Sequence, residues 1–370
     1  MNPIPALQAL PAGVVTLADH AAHAQGVMNA NAWAYFSGGA GDEITLQANR
    51  RDWDRLQLTP RILRPLAGGH TRIELLGRTL AHPILLAPVA LQRMAHADGE
   101  LASAYAAALQ GAGMVLSTQS SIALETVAQA IVDEPGRGPL WFQLYMQHDR
   151  GFTRELVQRA ERAGYEALVL TVDAVSSGAR DRERRAGFAL PADIAAVNLA
   201  GLPPAPTPSA GQGGLFDGRL GHAPTWQDIE WLRGATRLPI LLKGVAHPYD
   251  AALAAQSGAA GIIVSNHGGR TLDTMPSSAA LLPRVCAAVD GALPVLVDGG
   301  IRRGTDILKA LALGASAVLI GRPYVFGLAN AGAMGVAHVL RLLRDELEIA
   351  MALCGCRDLG QATSALLSRD

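Results

Sequence analysis

Short, uninterrupted apolar runs recur along this chain at regular intervals. They fall at 84–90, 114–119, 140–145, 167–173, 239–245, 261–266, 294–300 and 317–323. Each is rich in Val, Ile or Leu and lacks a strict alternation with polar residues, as expected of parallel strands buried on both faces. The stretches between them, such as 99–111, 150–164, 248–258 and 304–314, carry apolar residues at helical spacing and end in Gly, a helix-stop signal. Strand–helix units repeated through about 240 residues predict a (β/α)8 barrel of the TIM type, an α/β fold. A doubly wound sheet is the alternative, and the regularity of the repeat favours closure.

Two segments lie outside the repeat. Residues 1–83 form an N-terminal extension, expected to be helical at first and carrying Trp33, Tyr35 and Phe36. Residues 176–224 separate the fourth and fifth strands and contain the Pro-rich run Pro203-Pro204-Ala205-Pro206-Thr207-Pro208 and the Gly-rich run Gly211-Gln212-Gly213-Gly214. A long insertion of that composition after a barrel strand predicts a mobile, lid-like loop on the catalytic face. The barrel strands then span 84–323 and a C-terminal helical segment 324–370, with the whole of 1–370 as one domain.

Composition narrows the chemistry. With 370 residues, 49% of them hydrophobic, the chain can bury a large core, and its formal net charge of -1 offers no basic field for nucleic acid. The one basic cluster, Arg180-Asp181-Arg182-Glu183-Arg184-Arg185, alternates in sign and reads as a solvated or substrate-facing segment. Three cysteines, Cys286, Cys354 and Cys356, make neither a disulfide framework nor a zinc site. They fit a reducing cytosol, so a cytoplasmic location is expected. The start Met1-Asn2-Pro3-Ile4-Pro5 is unlike a signal peptide, and no run of 18 apolar residues predicts a membrane span.

In a barrel the functional face is built from the loops that leave the carboxyl ends of the strands. Here those ends are polar almost without exception: Ser117-Thr118-Gln119, Gln143-Leu144-Tyr145, Thr171-Val172-Asp173, Lys243-Gly244, Ser265-Asn266-His267, Asp298-Gly299-Gly300-Ile301-Arg302 and Gly321-Arg322. A lone Gln or Thr there often only caps backbone groups, but packing gives no reason for the coincidence. The segment Ser265–Asp273 is the richest. His267 can move a proton near neutral pH, and Arg270 can grip a carboxylate with two parallel hydrogen bonds, so an organic acid is the natural substrate. The ends after the last two strands are the usual phosphate site of such barrels, with Arg302 and Arg322 adding charge. Asp298 beside them suits a polyol hydroxyl better than a phosphate. A phosphate, a polyol and a flat ring together describe FMN.

On these motifs the sequence resembles the FMN-dependent α-hydroxy acid oxidase and dehydrogenase family, which includes glycolate oxidase, lactate oxidase and mandelate dehydrogenase. The resemblance runs from about Thr16 to Arg357 and also takes in Gly38-Gly39-Ala40-Gly41-Asp42-Glu43, Ala87-Pro88-Val89-Ala90 and Leu242-Lys243-Gly244-Val245. It implies that His267 is the base and Asp173 its partner. It implies that Arg270 and Arg180 hold the substrate carboxylate with help from Tyr35, and that Tyr145 bonds near the reacting hydroxyl. Lys243 would face the edge of the flavin where negative charge gathers. Ser117, Gln143, Thr171, Ser265 and the backbone of Pro88, Val89 and Ala90 would surround the flavin ring, with Asp298, Gly299, Gly300, Arg302, Gly321 and Arg322 around the ribityl phosphate. Arg182, Arg184 and Arg185 compete with Arg180 for its role, because family members often have Arg where Ala179 stands.

The reaction implied is oxidation of an (S)-2-hydroxy acid to the 2-oxo acid, with O2 as acceptor and H2O2 as product. The alternative is a dehydrogenase that passes electrons to a quinone or cytochrome; Ala90, where some dehydrogenases have Gly, leans toward the oxidase. Gln119 stands where glycolate oxidase-like members often have a bulky aromatic, and Ser177 where an aliphatic residue is common. A roomier or more polar pocket is then expected, which predicts medium or aromatic hydroxy acids, such as lactate or mandelate, rather than glycolate alone. The resemblance also implies a homotetramer or homooctamer. Two rivals stay open: an FMN barrel of different chemistry, which has no need of the His267, Arg270, Arg180 and Tyr35 set, and a non-catalytic phosphate-binding barrel, which has no use for Lys243 and His267.

Overall fold

The computed structural model of the protein describes residue 5 and residues 7–205, 215–216, 220 and 223–368. Three helices come first, α1 (Leu17–Val27), α2 (Ala30–Ser37) and α3 (Ile44–Arg55). Thr16 begins α1 with a capping box, its hydroxyl accepting from the Asp19 N–H while the Asp19 carboxylate accepts from the Thr16 N–H. An antiparallel hairpin, β1 (Ile73–Leu75) and β2 (Arg78–Leu80), comes after the helices. The sequence pattern does not announce it, since each strand is only three residues long.

Eight parallel strands then close a barrel: β3 (Ile84–Leu86), β4 (Gly113–Ser117), β5 (Leu140–Leu144), β6 (Ala167–Thr171), β7 (Ile240–Val245), β8 (Gly261–Val264), β9 (Val295–Val297) and β10 (Ala317–Ile320), with β10 pairing back to β3. All eight predicted runs are strands, and the closed barrel replaces the doubly wound alternative. Most run shorter than predicted at their carboxyl ends, because the polar residues there leave the ladder to form the loops of one face. Helices α4 (Gly99–Leu109), α5 (Leu124–Ile131), α6 (Arg150–Arg162), α7 (Asp181–Arg185), α8 (Trp226–Ala235), α9 (Pro248–Gln256), α10 (Ser278–Val289), α11 (Gly304–Ala312) and α12 (Arg322–Cys354) complete the chain. All but α7 follow the strands as the outer layer. The predicted stops hold: Gly111, Gly164, Gly258 and Gly314 lie just past α4, α6, α9 and α11 with φ of 68°, 88°, 78° and 104°.

Alternation along the strands sorts the core into two clusters. Leu85, Val115, Trp141, Val169, Leu241, Ile263, Leu296 and Leu319 pack inside the barrel, while Ile84, Leu86, Met114, Leu116, Phe142 and Leu168 meet the helices. The hairpin contributes Leu75 and Leu80 to the inner cluster and so plugs one end of it. Arg78 fixes that plug by pairing at 2.5 Å with Glu166, the residue just before β6. With the amino end filled, the opening lies at the carboxyl end.

Helix α12 is long and apolar enough to cross a membrane by length and composition, but most of its apolar window is buried within the protein. It is also broken at Ala331 (φ -159°, ψ 33°) and Gly332 (φ 53°, ψ -134°), so two shorter segments wrap the barrel. The 176–224 insertion is more structured than predicted in its first part. Residues 181–185 are helical and a 3-10 turn spans Val197–Leu199. The centre of the expected lid, residues 206–214, lies outside the described residues.

Candidate active site

The carboxyl ends of the strands surround a cavity of about 410 Å³, a size typical of small-molecule and cofactor sites. Tyr35, Tyr145, Arg180, Lys243, His267 and Arg270 line it, and so do Pro88, Val89, Ala90 and Ser117. Its far end is formed by Asp298, Gly299, Gly300, Arg302, Gly321 and Arg322. Asp173, Gln143, Thr171 and Ser265 stand behind this wall. The Gln143 amide donates to Thr171 Oγ1 at 3.1 Å and accepts from the Ser117 hydroxyl at 3.2 Å, and Ser265 Oγ accepts from Lys243 Nζ and from the His267 N–H.

His267 follows β8 with φ 56°, a strained left-handed position held because its own N–H is tied to Ser265. Its Nδ1 lies 2.9 Å from Asp173 Oδ1. A carboxylate can only accept there, so Nδ1 carries the proton and Nε2 is the basic nitrogen. Burial pushes the imidazole pKa below its ordinary value, against the pull of Asp173. Burial also opposes the charge on Asp173, but His267 and Lys243 outweigh it and hold the carboxyl below the usual range. Room for Asp173 comes from Gly244: φ is 107° there, and a Cβ would sit 2.4 Å from Asp173 Cβ. The β7–β8 register breaks at that residue.

Lys243 is buried, its Nζ 3.1 Å from Asp298 Oδ2 and 3.0 Å from Ser265 Oγ. Burial disfavours its charge, yet Asp298 and Asp173 raise its pKa overall, so it stays an ammonium. The sequence pattern gives Asp298 to a polyol; the structure gives one of its oxygens to Lys243. The other, Oδ1, is buried without a partner, and a hydroxyl donor would satisfy it.

At the opposite end Arg270 donates to the carbonyls of Tyr35 and Gly38 at 2.5 and 2.9 Å, and its guanidinium sits 5.1 Å from the Tyr35 ring centre. Arg180 Nε is buried and unpartnered. Of its competitors, Arg182 is taken up by Ser37 and Glu43, and Arg184 by Asp181. Glu183 and Phe188 also line the cavity. Glu183 Oε1 lies 3.3 Å from both Arg180 Nη1 and Arg270 Nη2, and the Phe188 ring stacks on Tyr35 with centres 5.1 Å apart. Sequence reasoning misses both. The i,i+3 spacing of Arg180 and Glu183 is the available signal for the first.

The phosphate-like end holds two half-buried cations. Burial pushes Arg302 down to about 10, and burial together with Arg270 and Arg302 pushes Arg322 well below its ordinary value. Both depressions mark a site that wants an anion. Arg322 donates to the carbonyls of Phe36, Gly268 and Gly38, which leaves two of its five N–H bonds for a ligand. Gly321, at the start of α12, has no side-chain cap, and a Cβ there would meet only Val89 and Ala87, at 3.8 and 3.9 Å. Space therefore stands open beside the start of α12, the end of a helix that favours an anion. Gly299 and Gly300 serve the scaffold: a Cβ on Gly300 would lie 2.1 Å from the Asn49 carbonyl of α3. The loop after β3 is held from behind by Glu100, which accepts from the N–H groups of Gln92 and Ser121, and by Tyr324, which donates to the Ala87 carbonyl. Sequence reasoning misses this support too.

The unsatisfied Asp298 oxygen, the half-buried arginine pair and the helix start at Gly321 fit the polyol and phosphate of FMN. Comparison with known proteins agrees. The model of the family described as FMN-dependent dehydrogenase matches residues 24–369. An L-lactate oxidase of Alicycliphilus denitrificans is 49% identical over 97% of this chain and 98% of its own. Glycolate oxidase 1 of Zea mays is 46% identical, over 90% of this chain and 89% of its own. Among solved structures, mandelate oxidase with (S)-2-phenylpropionate superposes with a TM-score of 0.85 at 43% identity, covering 96% of this chain and 98% of that one.

Proposed function

The chain belongs to the FMN-dependent dehydrogenase family, and on that basis we propose that it oxidises (S)-2-hydroxy acids to 2-oxo acids with O2 as the final acceptor. The observation that carries this reading is that His267, backed by Asp173, lines one cavity with two arginines, Arg180 and Arg270. A base and a carboxylate clamp within one small cavity suit a substrate that bears a removable proton next to a carboxylate.

FMN, when bound, supplies the two-electron acceptor. Its phosphate would be held by Arg302, Arg322 and the start of α12, a ribityl hydroxyl by Asp298, and the ring by the loop 88–90, Ser117 and Lys243. Arg180, through its unpartnered Nε, and Arg270 orient the substrate carboxylate. Tyr145, whose hydroxyl is pushed up to about 12 by burial, stays protonated and can donate to the substrate oxygen. His267 Nε2 takes a proton, and Asp173 stabilises the imidazolium that results. The substrate loses two protons and two electrons; O2 accepts the electrons and leaves as H2O2.

Lactate oxidases, glycolate oxidases and a mandelate oxidase are among the similar proteins. Gln119 and Ser177 line the cavity, which supports a substrate side chain larger than that of glycolate. We also propose a homo-oligomer and a cytosolic site of action, the former to be settled by light scattering on the purified protein. The deciding experiment is the visible spectrum under nitrogen with (S)-lactate, (S)-mandelate or glycolate added, followed by air. Bleaching and rapid recolouring with stoichiometric H2O2 supports the reading. Bleaching without recolouring selects the quinone or cytochrome acceptor, and no bleaching by any 2-hydroxy acid rejects the substrate class.

A further inference from the structure

Resting on the reading above, we infer that Glu183 sets the charge the substrate can carry and makes the site selective for monocarboxylates. Its Oε1 lies 3.3 Å from both Arg180 Nη1 and Arg270 Nη2. One oxygen thus bridges the two guanidiniums meant for the substrate. It does not use up their donors: Arg180 Nε is buried and unpartnered. Glu183 therefore acts as a fixed counter-ion at the side of the pair and leaves other N–H edges for a second carboxylate.

The charges at this end of the cavity are then two cations, Arg180 and Arg270, and two anions, Glu183 and Asp173, around a neutral His267. Lys243 is matched by Asp298; Arg322, which shares the Gly38 carbonyl with Arg270, and Arg302 would be matched by the phosphate of a bound flavin. With that phosphate bound and before substrate arrives, these charges balance. A monocarboxylate brings the site to one negative charge, which the remaining arginine donors offset locally. A 2-hydroxy acid with a second carboxylate brings two, and the second anion has no unshared cation. Like charges at such range are costly in a low-dielectric cavity. Without the Glu183 charge, a dicarboxylate would bring the site to the charge the native site reaches with a monocarboxylate.

Glu183→Gln keeps the bridging oxygen and the shape and removes only the charge. The test compares kcat/KM of the flavin-loaded enzyme for (S)-2-hydroxypropanoate and (S)-2-hydroxybutanedioate in the native protein, Glu183→Gln and Glu183→Asp. Dissociation constants of propanoate and succinate, read from the flavin absorbance without turnover, accompany it. The expected result is a rise of about tenfold or more in the dicarboxylate-to-monocarboxylate ratio for Glu183→Gln, in both kcat/KM and affinity, returning toward the native ratio in Glu183→Asp. If Glu183→Gln weakens both acids in equal proportion, Glu183 merely positions the arginines and the inference is wrong. A native protein inert toward every 2-hydroxy acid would instead overturn the underlying reading, and this inference with it.

Discussion

His267 and Asp173 show how much a single buried contact decides. The imidazole is kept neutral by burial and steered by one carboxylate, so the two influences can be separated by changing the carboxylate. In Asp173→Asn the influence that raises the His267 pKa is gone, and the pKa falls further. A base is active above its pKa, so the acid limb of kcat/KM should move to lower pH while kcat drops by about 10²–10⁴, since the imidazolium formed in the reaction loses its partner. A limb that moves to higher pH would contradict the assignment. Lys243→Met poses a different question, because it strands Asp298 in a buried site. Breaking one partner out of a buried pair costs about 3–5 kcal/mol, and thermal unfolding with the flavin content of the purified variant should both register it.

Elements contribute by bringing these residues into register. Thr171 on β6 pairs with Lys243 on β7, and the irregularity just after Lys243 turns Gly244 so that Asp173 fits beside it. Gly244→Ala places a Cβ 2.4 Å from Asp173 Cβ at a φ of 107°. The expected outcome is a loss of about 1–3 kcal/mol in stability from strain, together with a fall in kcat larger than the change in KM, because the displaced group orients the base and not the substrate. An unchanged kcat would mean that Asp173 tolerates the shift. Helix α3 shows the same principle from outside the barrel. Asn49 exchanges hydrogen bonds with Asn266, Trp53 donates to the Gly299 carbonyl and Arg50 reaches the Gly300 carbonyl, so an N-terminal helix fixes the loops after β8 and β9.

At the scale of the whole molecule, folding buries neutral histidines at some distance from the cavity. His82 donates from Nε2 to the Gln110 carbonyl at 2.9 Å and accepts at Nδ1 from the Ile84 N–H, a pattern only the neutral ring can satisfy. Burial pushes its pKa down to about 4, and His20 falls to about 4 for the same reason. The unfolded chain takes up these protons near the ordinary value of 6.5 while the folded one refuses them until about 4. The His82 contribution is therefore complete above pH 6.5 and lost as pH falls toward 4, worth roughly 3 kcal/mol at about 1.4 kcal/mol per unit. Denaturant midpoints of the native protein should fall across that window, and His82→Gln should flatten the slope. An equal slope in the variant would place the acid sensitivity elsewhere.

The barrel and the residues that line its open end were legible in the sequence because both arise from local pattern. Strands buried on two faces must be continuously apolar, helices between them must end, and polar residues at the strand ends have no packing reason to be there; hence the eight strands, the Gly stops and the set around His267, Lys243 and Arg270 could be read directly. The hairpin was not legible, because its few apolar residues acquire meaning only as the plug of the barrel's interior. The same holds for Glu183 and Phe188, whose alternating-sign and loop surroundings look solvated in one dimension. The break in α12 is likewise hidden, in a run of small and apolar residues around Asn330. Pairing distances decided the site: Glu183 against two arginines, Asp298 with one oxygen on Lys243 and its other oxygen unpartnered, Gly244 making way for Asp173. Sequence pattern determined which residues could carry charge and which runs would become strands; tertiary contact, by setting burial and partner together, decided which of those charges face one another and which are left for a ligand.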